Sequence, residues 1–405
     1  MNRLKNFFAT VGPGFIIASV VLGPGSVTVS SQIGATYGYS LLWVTVAASV
    51  AMGIFTAMAS RFGVKQNISI LQAIAEQYGR WFSALIGVSC FLMASSFQFG
   101  NNLGVATAMD GLTGINVKVW PFFFTGSAVI LVFFAKKLYR ILEKMMMVLV
   151  MMMILAFLLN LIFTKPDLIE TMRGFVPFIP HEGMEVVAAL VATTFVLHVA
   201  MYQAYLTQDK GWGEEDLKKG FRDTVAGIVM LGGITLMIVM TSAAALHPRG
   251  ITITTAADMA RQLEALFGPL AKVIFNIGLW AAAFSSLTVN ALIGAGLLAD
   301  GLGIGRSMND RPTRILAILG MLIGMVIAEI LLFTQTNIVS LLVFAQATTL
   351  FAVPAVAIGL FLIANNRKVM GELTNNWKHN ILAVFGLILI LLMVYYKYHQ
   401  LVGKI

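Results

Sequence analysis

The chain of 405 residues is predicted to be an all-α integral membrane protein that forms one transmembrane domain, 1–405. Hydrophobic residues make up 59% of it and charged residues only 11%, and its mean hydropathy is +0.87. A soluble domain carries about 25% charged residues. Apolar runs of about 20 residues recur along the whole chain, which is the length of a membrane-spanning helix rather than of a β-barrel strand.

These runs predict eleven spans, and no segment between them is long enough for a soluble domain. The first run is too long for the apolar region of a signal peptide and has no clear cleavage site, so we expect it to stay in the protein. Two short amphipathic segments, 66–79 and 254–266, are expected to be surface helices. The predicted spans cover roughly 11–35, 40–60, 82–108, 119–135, 142–164, 184–206, 222–244, 270–300, 314–334, 338–363 and 380–398.

The number of spans indicates an internal repeat. Five is odd, so spans 1–5 and 6–10 would insert with opposite orientation, and the eleventh helix would be additional. Two inverted five-helix repeats are typical of secondary transporters.

Most of the 27 Lys and Arg residues lie on segments that are cytoplasmic if the N-terminus is inside. The N-terminus is therefore predicted to be cytoplasmic and the C-terminus outside. The net charge of +9 follows from this bias and requires no nucleic-acid partner.

The first span is interrupted near its middle by LGPGSVTVSS, residues 22–31. Pro24 removes one backbone N–H, and Gly23 and Gly25 let the chain unwind and permit close approach of a ligand. Broken helices at membrane depth are tolerated where they line a cavity or are buried in protein. We therefore predict two half-helices whose free backbone groups face a binding site.

Several motifs along nearly the whole chain resemble those of the NRAMP metal transporters. They are GPGFIIAS at 12–19, GPGS at 23–26, ATTFVLH at 192–198, FSSLTVNALIGAGLLADG at 284–301 and VFAQATTLFAVP at 343–354. The resemblance implies a LeuT-type fold, alternating access and, for a bacterial chain, location in the inner membrane.

The same resemblance implies a changed site. The family's first helix supplies an Asp and an Asn to the divalent ion, and these positions are Gly23 and Ser26 here. The family's sixth-helix Met position is Val196, and its ligand carbonyl belongs to Thr193. The sixth-helix motif keeps His198, and the tenth-helix Gln is kept as Gln346. The family's proton-pathway acids on the third helix fall on Gln98 and Asn101, and its second sixth-helix His falls on Gln203.

The expected site thus has neutral donors and acceptors but no carboxylate. A divalent cation in a low-dielectric site needs anionic or strongly donating ligands. Glu329 is the acid farthest from a predicted span end, but it lies outside the two broken-helix positions and is expected to be partly solvated. We therefore predict a substrate site formed by Gly23, Gly25, Ser26, Thr193, Val196, His198 and Gln346, with His198, Gln98 and Asn101 as candidates for proton coupling and no resident metal or cofactor.

Three functions fit this set. The favoured one is a secondary transporter of a small polar or anionic solute, because half-helix N-termini favour anionic groups. The alternative is a transporter of a divalent metal cation, Mg²⁺ or Mn²⁺, through an atypical site, since Mg²⁺ keeps its water tenaciously. The third is a non-transporting membrane sensor. An enzyme is not expected, since no nucleophile–base set is visible. Partners other than the substrate and the lipid bilayer are not indicated, and the oligomeric state is left open. The sequence also leaves open whether the sixth helix is broken.

Overall fold

A computed structural model describes residues 12–133, 136–178, 183–306, 309–334 and 337–402, and these are helices joined by short turns. A helix occupies each of the eleven predicted spans, and three of the spans are divided into halves, labelled a and b. The helices are α1a (Pro13–Val21), α1b (Pro24–Tyr37), α2 (Leu42–Lys65), α3 (Arg80–Thr113), α4 (Trp120–Phe133), α5 (Lys136–Thr164), α6a (Met184–Thr194), α6b (Leu197–Asp209), α7 (Leu217–Ala245), α8 (Ala271–Leu302), α9 (Arg311–Phe333), α10a (Ile338–Thr348), α10b (Val353–Asn365) and α11 (Trp377–Val402).

Among the described residues, seven helices are each long and apolar enough to cross a membrane, and an eighth is added if α10a and α10b count as one span bent by 42°. Span 1 is not among them, because the break after Val21 divides it into halves. In spans 4 and 5 the described apolar helices are Val117–Leu131 and Val150–Thr164. The predicted ends at residues 11 and 135 lie outside the described residues.

The packing of the helices repeats with the offset of five that was expected from the span count. Helix α1b packs on α7, and α6b packs on α2. In an inverted repeat, helix 1 corresponds to helix 6 and helix 2 to helix 7, so these two contacts are equivalent. Helix α3 packs along α8, and helix 3 corresponds to helix 8 in the same way. This arrangement is that of two inverted five-helix repeats.

The two amphipathic segments are short helices, but they pack on the protein. Ile70–Tyr78 begins at Ser69, whose side chain accepts a hydrogen bond from the Gln72 N–H, and it buries Ile70, Leu71 and Ile74. The second segment includes Ala256–Ala260, which begins with a capping box formed by Thr255 and Asp258. Both helices therefore close connections between spans.

The eleventh helix is joined to the bundle by a charged contact. The Lys397 ammonium group is 2.5 Å from Glu185 Oε1 at the start of α6a, and the Lys397 side chain is 1% exposed. Gln400 bonds to both residues. A buried cation requires such partners, because an unpaired one costs several kcal/mol.

Close packing of α1b on α7 depends on Gly34. A Cβ atom at this position would lie 2.3 Å from the Val239 carbonyl oxygen, which is a backbone atom and cannot rotate away. Small residues allow such close approach in membranes, where association depends on van der Waals packing.

We therefore expect Gly34→Ala to lower the melting temperature of the detergent-purified protein by several degrees, because overpacking typically costs about 1–3 kcal/mol. Gly233→Ala is the matched control, since it makes the same change inside α7 where no atom lies within 4 Å of the new Cβ. It should leave the melting temperature unchanged or raise it, since Ala favours helix over Gly. Equal melting temperatures for the two variants would contradict the packing argument.

Candidate functional site

The first helix is broken where GPGS predicts, between Val21 and Pro24. The Gly23 N–H donates to the Val21 carbonyl at 2.8 Å, and the Ser26 hydroxyl donates to the same carbonyl at 2.8 Å. Pro24 occupies the first turn of α1b, where a missing N–H costs nothing. The Ser26 side chain thus supplies a partner to a carbonyl left free by the break.

The sixth helix is also broken, at Phe195 and Val196, although no Pro or Gly marks the position. Both residues have non-helical backbone angles, with ψ of 70° and 83°. The Thr193 hydroxyl lies 2.6 Å from the Ser26 hydroxyl, so the two breaks meet. Val196 contributes a fully buried apolar side chain, and its carbonyl accepts from the N–H groups of Val199 and Ala200 at the start of α6b.

Polar groups from α3, α8 and α10a surround the break in helix 1. A Cβ at Gly23 would lie 3.3 Å from Ser286 Oγ and 3.4 Å from Asn101 Oδ1. A Cβ at Gly25 would lie 2.1 Å from Gln346 Nε2, so only Gly allows this approach. Gln346 Oε1 and Asn101 Nδ2 are buried and have no hydrogen-bond partner among the described residues.

His198 is the second residue of α6b, directly after the break, and belongs to a chain of side-chain hydrogen bonds. Its Nε2 is 3.0 Å from Asn290 Oδ1, and the Asn290 amide nitrogen donates to Ser286 Oγ at 2.8 Å. This network assigns the Asn290 oxygen as the acceptor, so His198 Nε2 carries a proton when the ring is neutral. His198 Nδ1 is then a buried lone pair without a partner in the described structure.

Gln98 is placed differently from the other predicted residues. Its amide nitrogen donates to the Leu287 carbonyl at 2.8 Å, and Gly324 of α9 packs against its side chain. This is the role of a polar residue joining helices in a membrane. The structure therefore brings Asn101 and His198 to the region of the breaks, and Gln98 holds α3 against α8 and α9.

Ser286 and Asn290 belong to the same cluster, but the sequence prediction did not include them. They are separated by four residues, so they share one face of α8. Two polar residues at this spacing in an apolar helix are the signal that could have identified them.

The cluster is closed to both sides of the membrane in this conformation. Ser26, Asn101, Thr193, His198 and Gln346 are each at most 3% exposed. A cavity of about 850 Å³ extends to Tyr202 of α6b, which is one turn from His198, and to Gly296 of α8. Asp209 and Arg306 lie at its wall. Its lining comes within one helical turn of His198 and includes no residue of the cluster.

The cluster has no formal charge if His198 is neutral. In the described ranges no group of three or more His, Cys, Asp or Glu side chains is placed to hold a metal ion.

Glu329 is 5% exposed rather than partly solvated, so that expectation was wrong. It lies in the last third of α9, outside the broken-helix cluster, and neither carboxylate oxygen has a hydrogen-bond partner in the described part of the chain.

Comparison with known proteins agrees with this architecture. The family model for natural resistance-associated macrophage protein-like chains matches residues 14–399. The chain is 26% identical to the divalent metal cation transporter MntH of Deinococcus radiodurans, over 99% of this chain and 92% of that one. It is also 26% identical to MntH of Klebsiella pneumoniae strain 342, over 91% and 88%.

Two solved structures share the fold. The manganese transporter of Eremococcus coleocola, in one of its mutant forms, superposes with a TM-score of 0.81 at 15% identity, over 99% of this chain and 89% of that one. Mhp1, a nucleobase-cation-symport-1 transporter, superposes with a TM-score of 0.58 at 15% identity, over 95% and 91%. The inverted repeat, the broken helices and these likenesses together identify a LeuT-type fold. With a family model matched over almost its whole length, this chain belongs to the Nramp family of membrane transporters, which are not enzymes.

Proposed function

We propose that the chain transports a divalent metal cation by alternating access, and that the ion keeps part of its water shell while bound. The observation that carries this proposal is the convergence of neutral oxygens on the break at Gly23. Ser26, Thr193, Asn101 and Ser286 supply oxygens there. The names of the relatives, which are divalent metal cation transporters, support a metal substrate over the organic solute that the sequence favoured.

The ligand chemistry selects a hard and strongly hydrated ion. Hydroxyl, amide and carbonyl oxygens suit Mg²⁺, Ca²⁺ or Mn²⁺, and Mg²⁺ usually keeps several of its waters. Val196 provides no soft sulfur ligand for a late transition metal. The carboxylate that would offset the ion's charge is absent at Gly23, so retained water must complete the coordination shell.

A small polar or anionic solute is the second candidate, and one observation favours it. The cluster described above has no carboxylate, and the N-termini of α1b and α6b, which no N-cap side chain caps, lie at the breaks. Such half-helix ends bind anionic groups in other transporters of this fold. The two candidates differ in how they respond to a new negative charge.

Alternating access would involve α1a, which is attached to the rest of the protein by a polar bond at its start. The Gly14 N–H donates to Asp223 Oδ2 of α7 at 2.6 Å. A Cβ at Gly14 would lie 2.3 Å from the Asp223 carbonyl oxygen, so the two helices touch. We propose that this contact opens when α1a moves, and that the cavity ending at Tyr202 then reaches the cluster.

The N-terminus is proposed to be cytoplasmic, in a bacterial inner membrane.

Gly23→Asp tests the metal proposal. The new Cβ would contact Ser286 Oγ and Asn101 Oδ1 at 3.3–3.4 Å, so a small shift accommodates the side chain. We expect binding of Mg²⁺ and Mn²⁺, measured by calorimetry on the full chain in detergent, to become at least about tenfold tighter, because a carboxylate attracts the cation strongly at low dielectric.

Gly23→Asn is the matched control, since it has nearly the same volume and no charge, and it should not tighten binding. The metal proposal fails if neither the unchanged protein nor Gly23→Asp binds a divalent ion. An accompanying rise in melting temperature with a small carboxylate or amide would then support the second candidate, because a ligand of the folded state stabilises it.

His198 is proposed to carry the coupling proton, because its Nδ1 is a buried lone pair without a partner among the described residues and its Nε2 ends a hydrogen-bonded chain that reaches helix 1 through the bond of Ser286 Oγ to the Val20 carbonyl. In proteoliposomes, His198→Gln should reduce stimulation of uptake by an inward proton gradient several-fold and leave uptake without a gradient measurable. His247→Gln is the control, because His247 lies just after the C-terminal end of α7, outside the cluster, and bonds to the Ala35 carbonyl. Unchanged pH dependence in His198→Gln would exclude His198 from coupling.

A further inference from the structure

A groove of about 690 Å³ lies between α2, α7 and α11, on the outside of the bundle. The end of α2 and the starts of α7 and α11 meet there, so it belongs to the side of the membrane that the charge bias assigns to the cytoplasm. We infer that this groove binds one anionic phospholipid of the cytoplasmic leaflet, with its headgroup at the charged end and an acyl chain along the apolar walls.

The charged end of the groove carries only positive groups. Arg61, Lys218, Arg222 and Lys378 line it, and no Asp or Glu does. Lys218 and Arg222 are four residues apart on α7 and therefore share a face. In the described structure neither lies within ion-pair distance of a carboxylate. Clusters of this kind between helices on the cytoplasmic side suit anionic headgroups.

Three of the four acids closest along the chain have partners elsewhere, and the fourth, Glu215, is exposed and does not line the groove. Glu214 is paired with Lys65 at 2.6 Å, and Asp216 lies 3.8 Å from Lys219. Asp223 accepts from Gly14 on the opposite face of α7. The positive charge facing the groove is therefore not neutralised by the protein.

The remainder of the groove is apolar and open to the bilayer. Phe221 is 61% exposed, and Val229, two turns further along α7, is 67% exposed. Val50 and Leu382 form the facing walls from α2 and α11. A soluble anion would gain nothing from these walls, and a zwitterionic lipid would gain little from the cations, so both halves of the groove are used only by an anionic lipid.

Two further features place the headgroup level at the charged end. Trp377 is 68% exposed at the start of α11, and the Lys378 ammonium group lies 5.6 Å from the centre of its ring. Trp is enriched at membrane–water interfaces. Arg61 is fixed by bonds to the Leu373 carbonyl and to Asn375, so it forms a rigid wall of the charged end.

The test is binding of phosphatidylglycerol to the delipidated full chain in detergent, measured by native mass spectrometry and by the shift in melting temperature. Phosphatidylcholine and glycerol phosphate are the comparison probes. We expect phosphatidylglycerol to bind and to stabilise, and both comparison probes to have little effect. Equal effects of phosphatidylcholine would reduce the groove to a generic lipid contact, and stabilisation by glycerol phosphate alone would assign it to a soluble anion. Either result overturns the inference.

The variant Lys218→Gln/Arg222→Gln/Lys378→Gln removes three charges from the groove and leaves Arg61, which supports the fold. It should weaken phosphatidylglycerol binding by on the order of 100-fold, given the usual contribution of each cation near an anionic headgroup. The control Arg311→Gln/Arg367→Gln/Lys368→Gln removes the same charge from the same side of the membrane, at residues that do not line the groove. Equal loss in both triple variants would overturn the assignment to this groove.

A second variant guards against misfolding of the first. Ala57→Phe fills the apolar part of the groove from α2 and leaves every cation in place. It should displace the lipid and keep the unliganded melting temperature near that of the unchanged protein. Full binding of phosphatidylglycerol by Ala57→Phe would contradict the proposed path of the acyl chain.

Discussion

The structure depends on one constraint, which is that every polar backbone group at membrane depth needs a partner inside the protein. Breaking helices 1 and 6 leaves carbonyl and N–H groups free where no lipid can bond them. The Ser26 hydroxyl answers part of this requirement by bonding to the Val21 carbonyl and by meeting the Thr193 hydroxyl of the other break. The two breaks thus stabilise one another, and the helices around them must supply the remaining polar groups.

Those remaining groups explain why the centre is polar although it has no carboxylate. Asn101, Ser286 and Gln346 reach the break of helix 1 from three different helices, and Asn290 links Ser286 to His198. Each can donate or accept, so the cluster can satisfy the broken backbone without a formal charge. It can also bind an ion or solute only by exchanging these bonds for new ones. Among the described residues, Asn101 Nδ2, Gln346 Oε1 and His198 Nδ1 have no hydrogen-bond partner, so a ligand can bond to them without breaking an existing bond.

Much of this arrangement could be predicted from the sequence, and the exceptions have physical causes. The break at Gly23 is encoded locally, since Gly-Pro-Gly cannot continue a helix. The break at Val196 is not, because Thr193-Thr194-Phe195-Val196 could form a regular helix and only tertiary contacts such as that with Ser26 favour the open form. The contribution of Ser286 and Asn290 depends on which face α8 turns toward α1a, and burial of Glu329 depends on the helices around α9. Neither orientation can be deduced from local composition.

The charged side chains of the half-helix contacts lie away from the central cluster, which is formed by neutral polar groups. Asp223 binds the start of α1a, Asp300 accepts a hydrogen bond from Tyr205 between α8 and α6b, and Lys397 pairs with Glu185 between α11 and α6a. Each of these contacts joins a half-helix of a broken span to a continuous helix, away from the central cluster. A buried contact between a charged side chain and a helix that moves stabilises the closed state strongly, because opening would leave the charge without its partner. The charges are therefore suited to hold the half-helices in defined positions, and the neutral centre is left free to change partners as the substrate enters and leaves.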